Sequence, residues 1–221
     1  MISLIIEVIY YMLLLFLAIK SIASIRQENF IARCFLKIYI IFTALLELCS
    51  YALLITHPEI STGIFYNFYC LFNIVIFYFF YRIYFHQRNL KIFTLIFFST
   101  LLFYFCSTKF YKSDFDVSVG ITISLYYISA SLLWFYQKVK AFDEYKITDD
   151  PVFLISTALL MWSCFFIFRV TPMFLFDETD KGFSQFLRTF QYAINILMYS
   201  MFYISMIKFE RKLQWLISRK K

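Results

Sequence analysis

The chain has 221 residues, of which 62% are hydrophobic and 24% aromatic, against only 16% charged, three Gly and three Pro. A soluble domain of this length carries far more charge and more turn formers, so the composition excludes a self-contained soluble enzyme and defines an all-α polytopic membrane protein. The formal net charge of +7 reports membrane topology rather than affinity for nucleic acid, and no direct nucleic-acid binding is expected.

Seven apolar segments follow in order, each long enough to cross a bilayer as a helix and none alternating with the period of a barrel strand. The first covers residues 2–22. It has no basic leader or small-residue cleavage site, so it reads as a span and not a signal peptide. Glu7 lies near its start. The second, 34–56, is expected to stop at His57-Pro58. It carries Glu47 near mid-depth, and Thr43, Glu47 and Ser50 share a face by their spacing. The third, 65–85, contains Asn67 and Asn73 in an otherwise aromatic run. The fourth, 91–107, has no internal charge and reads as a linker or lipid-facing helix. The fifth covers 117–137. The sixth begins at Asp149-Asp150-Pro151, with Asp at the cap and Pro in the first turn. It is expected to end at Thr171-Pro172, with Arg169 in its last turn. The seventh, 183–207, carries Arg188, Gln191 and Asn195 on one face.

The lysines and arginines concentrate in connections 1–2, 3–4 and 5–6 and in the tail. The positive-inside rule therefore places the N-terminus outside and the C-terminus in the cytoplasm. The domain reading is a seven-helix transmembrane unit over 1–207 and a basic tail over 208–221. That tail interleaves Leu213, Trp215, Leu216 and Ile217 with charge, as an amphipathic juxtamembrane helix does.

Several short patterns recur. Thr43-Ala44-Leu45-Leu46 returns as Thr157-Ala158-Leu159-Leu160, Tyr10-Tyr11 as Tyr126-Tyr127, and Asn73-Ile74 as Asn195-Ile196. The offsets fit two parallel three-helix repeats joined by the fourth helix, a 3+1+3 arrangement known in sugar carriers with mid-membrane sites. Chance sharing of apolar tetrapeptides is the competing account.

An ionisable group at mid-membrane costs at least ~2.5 kcal/mol and is a functional candidate by default. Glu47, Asn73, Asn195, Gln191 and Asn67 are accordingly the ligand or conduction candidates. The alternative for the asparagines is helix-to-helix hydrogen bonding. Glu7, Arg169 and Arg188 are candidates for a structural ion pair, with snorkelling as the other account of Arg169. The abundant Tyr and Phe read mostly as lipid-facing bulk and interfacial anchors. The five cysteines form no CxxC pair and read as core or lipid-facing residues; with only two His, no metal cluster and no cofactor are implied. Lys208 lies too far toward the end of the seventh helix to form a retinal Schiff base.

Three stretches, FYNFYCLFNIVIFYFFYRIYF at 65–85, DDPVFLISTALLMW at 149–162 and NILMYSMFYI at 195–204, resemble a widespread bacterial family of uncharacterised seven-helix membrane proteins. The resemblance covers most of the chain. Members often accompany sensor-kinase genes, which implies an inner-membrane location and a sensory or relay role with a protein partner. The expected function is a non-enzymatic receptor or signal-relay module acting with a cytoplasmic or membrane partner; the alternatives are a small-solute carrier and a homo-oligomeric pore or membrane-disrupting effector, for instance in anti-phage defence.

Overall fold

The computed structural model describes residues 2–24, 31–57, 61–111, 114–141, 146–176 and 181–218. Arg26, Pro58, the acidic residues Asp177, Glu178 and Asp180, and residues 219–221 lie outside the described residues. The side chains of 171–176 and 212–218 also lie outside them, among them Pro172 and the tail's Leu213, Trp215, Leu216 and Ile217. Seven helices make up the described structure: α1 (Ile2–Ser24), α2 (Ile31–Thr56), α3 (Gly63–Arg82), α4 (Gln87–Ser107), α5 (Val117–Lys140), α6 (Pro151–Phe176) and α7 (Lys181–Ser218). All seven are long and apolar enough to cross a membrane, so the chain is a multi-pass helical membrane protein.

Most helix ends fall within a few residues of the sequence expectation, and two run well past it. α6 does not stop at Thr171-Pro172 but runs on to Phe176. Proline removes one backbone donor, and membrane helices absorb that loss because the rest of the turn is still satisfied internally or by neighbours. α7 continues without a break from its span through residue 207 to Ser218. Its 38 residues give a rod of about 57 Å, well beyond the hydrocarbon thickness. The start of α6 follows the sequence signal: Asp150 Oδ1 accepts from the backbone N–H of Val152 at 3.0 Å, and Pro151 fills the first helical position.

The packing order closes a ring. α1 packs on α2, α2 on α3, α3 on α5, α5 on α6, α6 on α7, and α7 back on α1; α4 lies against α5 and α3. α4 is the most exposed span, with Leu95, Phe98, Leu102, Phe103 and Phe105 facing outward, as expected for a lipid-facing helix.

α4 is tied down at both ends by side-chain amides. At one end the Gln137 side chain of α5 accepts from His86 N and Asn89 Nδ2, both at 3.0 Å, and donates to Tyr84 O at 2.8 Å. At the other, Asn67 of α3 holds the α4–α5 loop. Its Nδ2 donates to Phe110 O and Asp114 O, both at 3.1 Å, and its Oδ1 accepts from Asp116 N at 3.0 Å. Gly63, one turn earlier, lets the backbone of Asp114 and Phe115 pass so close that any Cβ would collide with it. Asp116 completes the loop by capping α5 through Ser118 N at 2.8 Å and by accepting from Lys109 N.

Partial burial pushes the Asp116 carboxyl up, but the backbone N–H groups of Lys109 and Ser118 outweigh that and hold it below the usual carboxylate range. A lowered folded value means the ionised cap stabilises above the unfolded carboxyl range, and this is lost as pH falls through the folded value. Asp116→Ala is expected to cost about 1 kcal/mol at neutral pH. In detergent melts, the gap between variant and wild type should close on acidification below the normal carboxylate range. A gap constant with pH would show that the carboxylate charge plays no part.

Candidate functional site

The ends of the bundle differ in character. The end where α1 finishes and α2 begins is basic and ion-paired: Arg33 pairs with Glu210, Lys138 with Asp150 at 3.0 Å, Lys20 donates to Tyr203 at 3.2 Å, and Lys208 reaches Thr148 O. Toward the opposite end lies a tyrosine-rich polar site built from α1, α2, α3, α6 and α7.

Its centre is Glu47. Both carboxylate oxygens are engaged by phenols: Tyr10 of α1 donates to Oε1 and Tyr66 of α3 to Oε2, each at 3.1 Å. The face predicted from the 43/47/50 spacing is real, since Thr43 and Ser50 are both buried and meet α3. Thr43 donates its proton to Tyr39 O at 2.8 Å, so in the 2.6 Å contact between Thr43 Oγ1 and the Tyr69 hydroxyl, tyrosine must be the donor. Tyr39 is close enough to Tyr69 and Tyr199 to share hydrogen bonds with both. The Tyr10 ring stacks obliquely on those of Tyr11, Tyr192 and Tyr199, with centroids 5.1–6.0 Å apart. Glu47 thus stands one turn of α2 from a second hydroxyl cluster around Thr43, Tyr69 and Tyr39, and the two together form a polar network toward the middle of the bundle.

The other sequence candidates fall into distinct places. Asn195 Oδ1 accepts from Trp162 Nε1 at 2.8 Å and from Gln191 Nε2 at 3.1 Å, so Gln191 and Asn195 act as one polar patch across α6 and α7. Asn73 is 3% exposed and its Oδ1 has no hydrogen-bond partner; it sits at the bottom of the network, beside Tyr69. Asn67 is fully buried, and both its donors and its carbonyl are spent on loop backbone. It positions the loop and has little left for a ligand. Glu7 accepts from the Tyr192 hydroxyl at 3.5 Å. Among the described residues no ion pair joins Glu7 to Arg169 or Arg188. Of the cysteines, Cys70 is buried, Cys34 is half-buried and the other three are exposed on helix surfaces.

Below the network the ring interior is filled by aromatic side chains. Phe77 packs edge-on against Tyr39 and Tyr127, both at 5.1 Å, and Phe202 closes on Tyr39 at 5.8 Å. These side chains are buried and separate the polar site from the basic end.

The tyrosines are what sequence reasoning missed. Phenylalanines such as Phe98, Phe103 and Phe168 do face outward, but Tyr10, Tyr39, Tyr81, Tyr104, Tyr126, Tyr127 and Tyr199 are buried. Burial suits a tyrosine whose ring fills the core while its hydroxyl finds a partner, as Tyr81 does with Ser156 at 2.9 Å and Tyr104 with Asn67 O at 2.7 Å, whereas the buried hydroxyls of Tyr126 and Tyr127 have no hydrogen-bond partner. The signal was present in the spacing: Tyr66, Tyr69 and Asn73, and likewise Tyr192, Asn195 and Tyr199, each recur at helical intervals on one face.

The structure thus defines a multi-pass helical membrane protein with a carboxylate–phenol site in one half of the bundle. No protein-family model, curated protein or solved structure matches the chain.

Proposed function

We propose that this chain is a non-enzymatic receptor of the bacterial inner membrane. It takes up a small polar ligand at the Glu47–Tyr10–Tyr66 site from outside and relays occupancy to a protein partner at the basic, cytoplasmic end. The observation that carries this reading is the continuity of α7. One unbroken helix presents Gln191, Tyr192 and Asn195 to the site and Glu210 and Arg211 to the basic end. A shift of that rod at one end must appear at the other, where the basic end has charge for docking a partner. The packed aromatic layer under the site suits a receptor, which passes a conformational change and not a solute.

A second reading, a small-solute carrier, is favoured by the packing order. A ring in which α3 meets α5 and α7 meets α1 is the order that two three-helix repeats joined by α4 would give.

Photo-cross-linkers placed at Lys140 and Arg211, both exposed at the basic end, test the relay in cells. The expected result is capture of one partner whose yield changes severalfold in Glu47→Gln and Tyr66→Phe, substitutions at the far end of the bundle. Capture indifferent to Glu47 removes the relay. Solute counterflow in proteoliposomes that Glu47→Gln abolishes replaces the receptor with the carrier, and depolarisation on expression replaces it with a pore.

A further inference from the structure

Tyr192 is the point where opposite charges approach without meeting. Its hydroxyl is 3.5 Å from Glu7 and lies within electrostatic reach of Glu47 as well. Arg169 lies on α6 one turn beyond Phe165, and the packing of Phe165 on Phe190 at 5.3 Å and the Trp162–Asn195 hydrogen bond at 2.8 Å bring that turn alongside the Arg188–Tyr192 stretch of α7. Two carboxylates and two guanidinium groups therefore gather on one side of the bundle: Glu7 touches Tyr192, Glu47 is bonded to Tyr10, whose ring lies 5.4 Å from that of Tyr192, and Arg188 stands one helical turn from Tyr192; three of the four charges are half-buried and Arg188 is exposed. Among the described residues none of the acids is paired with either arginine. Arg169 Nε is buried and without a partner. The arginines act on each other as like charges, which raises the cost of keeping both in place. Unpaired charges of both signs within a span are expensive, and direct contact between them would be the cheapest remedy. The bundle holds them apart instead, on different helices.

We propose that the site takes a small zwitterion: an ammonium bound by Glu47 and Glu7, and a carboxylate or phosphate bound by Arg169 and Arg188. This deepens the receptor reading and rests on it only for the location of the site. The tyrosines fit the cationic half, since Tyr10, Tyr66 and Tyr192 bring their hydroxyls to the carboxylates, the rings of Tyr11 and Tyr192 pack on that of Tyr10, and an ammonium is attracted to aromatic faces. Arg169 fits the anionic half, since guanidinium nitrogens hold a carboxylate or phosphate by a charge-assisted fork. A ligand carrying both charges on a short skeleton satisfies both sides at once and leaves the net charge of the site unchanged. Two sources share this chemistry, a free amino-acid-like solute and the ethanolamine headgroup of a phospholipid.

The test uses the full chain in nanodiscs of phosphatidylglycerol alone, titrated with glycine, β-alanine and phosphoethanolamine, and with the half-ligands ethylammonium and acetate. The readouts are the unfolding midpoint and calorimetric binding. At least one zwitterion is expected to bind at concentrations where neither half-ligand does. Glu47→Gln and Arg169→Gln should each weaken it by roughly tenfold or more, the scale of one charged hydrogen bond. Arg188→Gln, at an exposed position, provides a variant with little risk to folding and should weaken binding in the same direction. If the headgroup is the natural source, adding phosphatidylethanolamine to the nanodisc raises the midpoint and competes with phosphoethanolamine; if the solute is, the lipid has no effect.

Binding of acetate or ethylammonium as tight as that of the zwitterions overturns the proposal, as does the absence of binding by all three zwitterions. Joint neutralisation of Asp177, Glu178 and Asp180 should leave binding intact. A loss equal to that of Arg169→Gln would mean the arginines serve that acidic segment, and would also overturn it. Partner cross-linking that still depends on Glu47 while no zwitterion binds sinks the ligand class and spares the receptor. Zwitterion binding with cross-linking indifferent to Glu47 does the reverse.

Discussion

Asn67→Ala is expected to lower the stability of the protein by about 3 kcal/mol, the sum of three partly buried backbone groups left without partners and partly rescued by water. Its side chain satisfies Phe110 O, Asp114 O and Asp116 N together, and no other residue reaches across α3 to do so among the described contacts. Asn67→Asp should be no better. It keeps an acceptor for Asp116 N but turns an anionic oxygen toward the two carbonyls that the amide nitrogen now serves. The measurement is the unfolding midpoint in a mild detergent, with proteolysis of the 108–116 loop as a local readout. A variant that melts like wild type and resists protease equally would show that the loop is held by something else. Gly63→Ala should expose the same loop, because the added methyl group collides with the backbone of Asp114 and Phe115.

Phe77→Ala should have two effects, one on stability and one on permeability. Phe77 is 1% exposed, and its ring touches Tyr39, Phe80 and Tyr127 edge-on. Truncation removes those contacts and leaves a cavity, at a cost of about 3 kcal/mol, the low end for large aromatic deletions. The cavity would also connect the hydroxyl network under Glu47 to the other half of the ring. Liposomes containing a pH-sensitive dye should then acidify faster with Phe77→Ala than with wild type after an external acid jump. Phe77→Leu, which keeps most of the volume, should restore the barrier. If Phe77→Ala is destabilised yet no leakier, the aromatic layer is packing alone and the seal lies elsewhere.

These two residues also mark how far the sequence could be read. The spans were legible because each is a long apolar run, and the start of α6 because Asp150-Pro151 announces it locally. Glu47 stood out because a carboxylate in hydrocarbon always does. Its partners did not: Tyr10 and Tyr66 come from other helices, 37 and 19 residues away, and nothing local distinguishes a tyrosine that faces inward from one at the lipid surface. Asn67 was singled out for the right reason, a costly amide in an apolar helix, but its partners lie 43 to 49 residues on, and only the fold shows that they are loop backbone. The overrun of α6 past Pro172 and of α7 to Ser218 reflects a local stop rule meeting a membrane setting that tolerates proline and a charged helix that simply continues into water.

The tethering of α4 has a consequence for the chain's history and its engineering. A helix secured by its two ends, through Asn67 and Gln137, depends little on the identity of its outward residues. Its lipid-side sequence is therefore free to drift under no constraint but greasiness, while the two amides that hold it cannot. Related chains should look most divergent where this helix runs and most alike at two isolated carboxamides on either side of it. For the same reason its outer face is the place to attach a small lipophilic label with least disturbance to the ring.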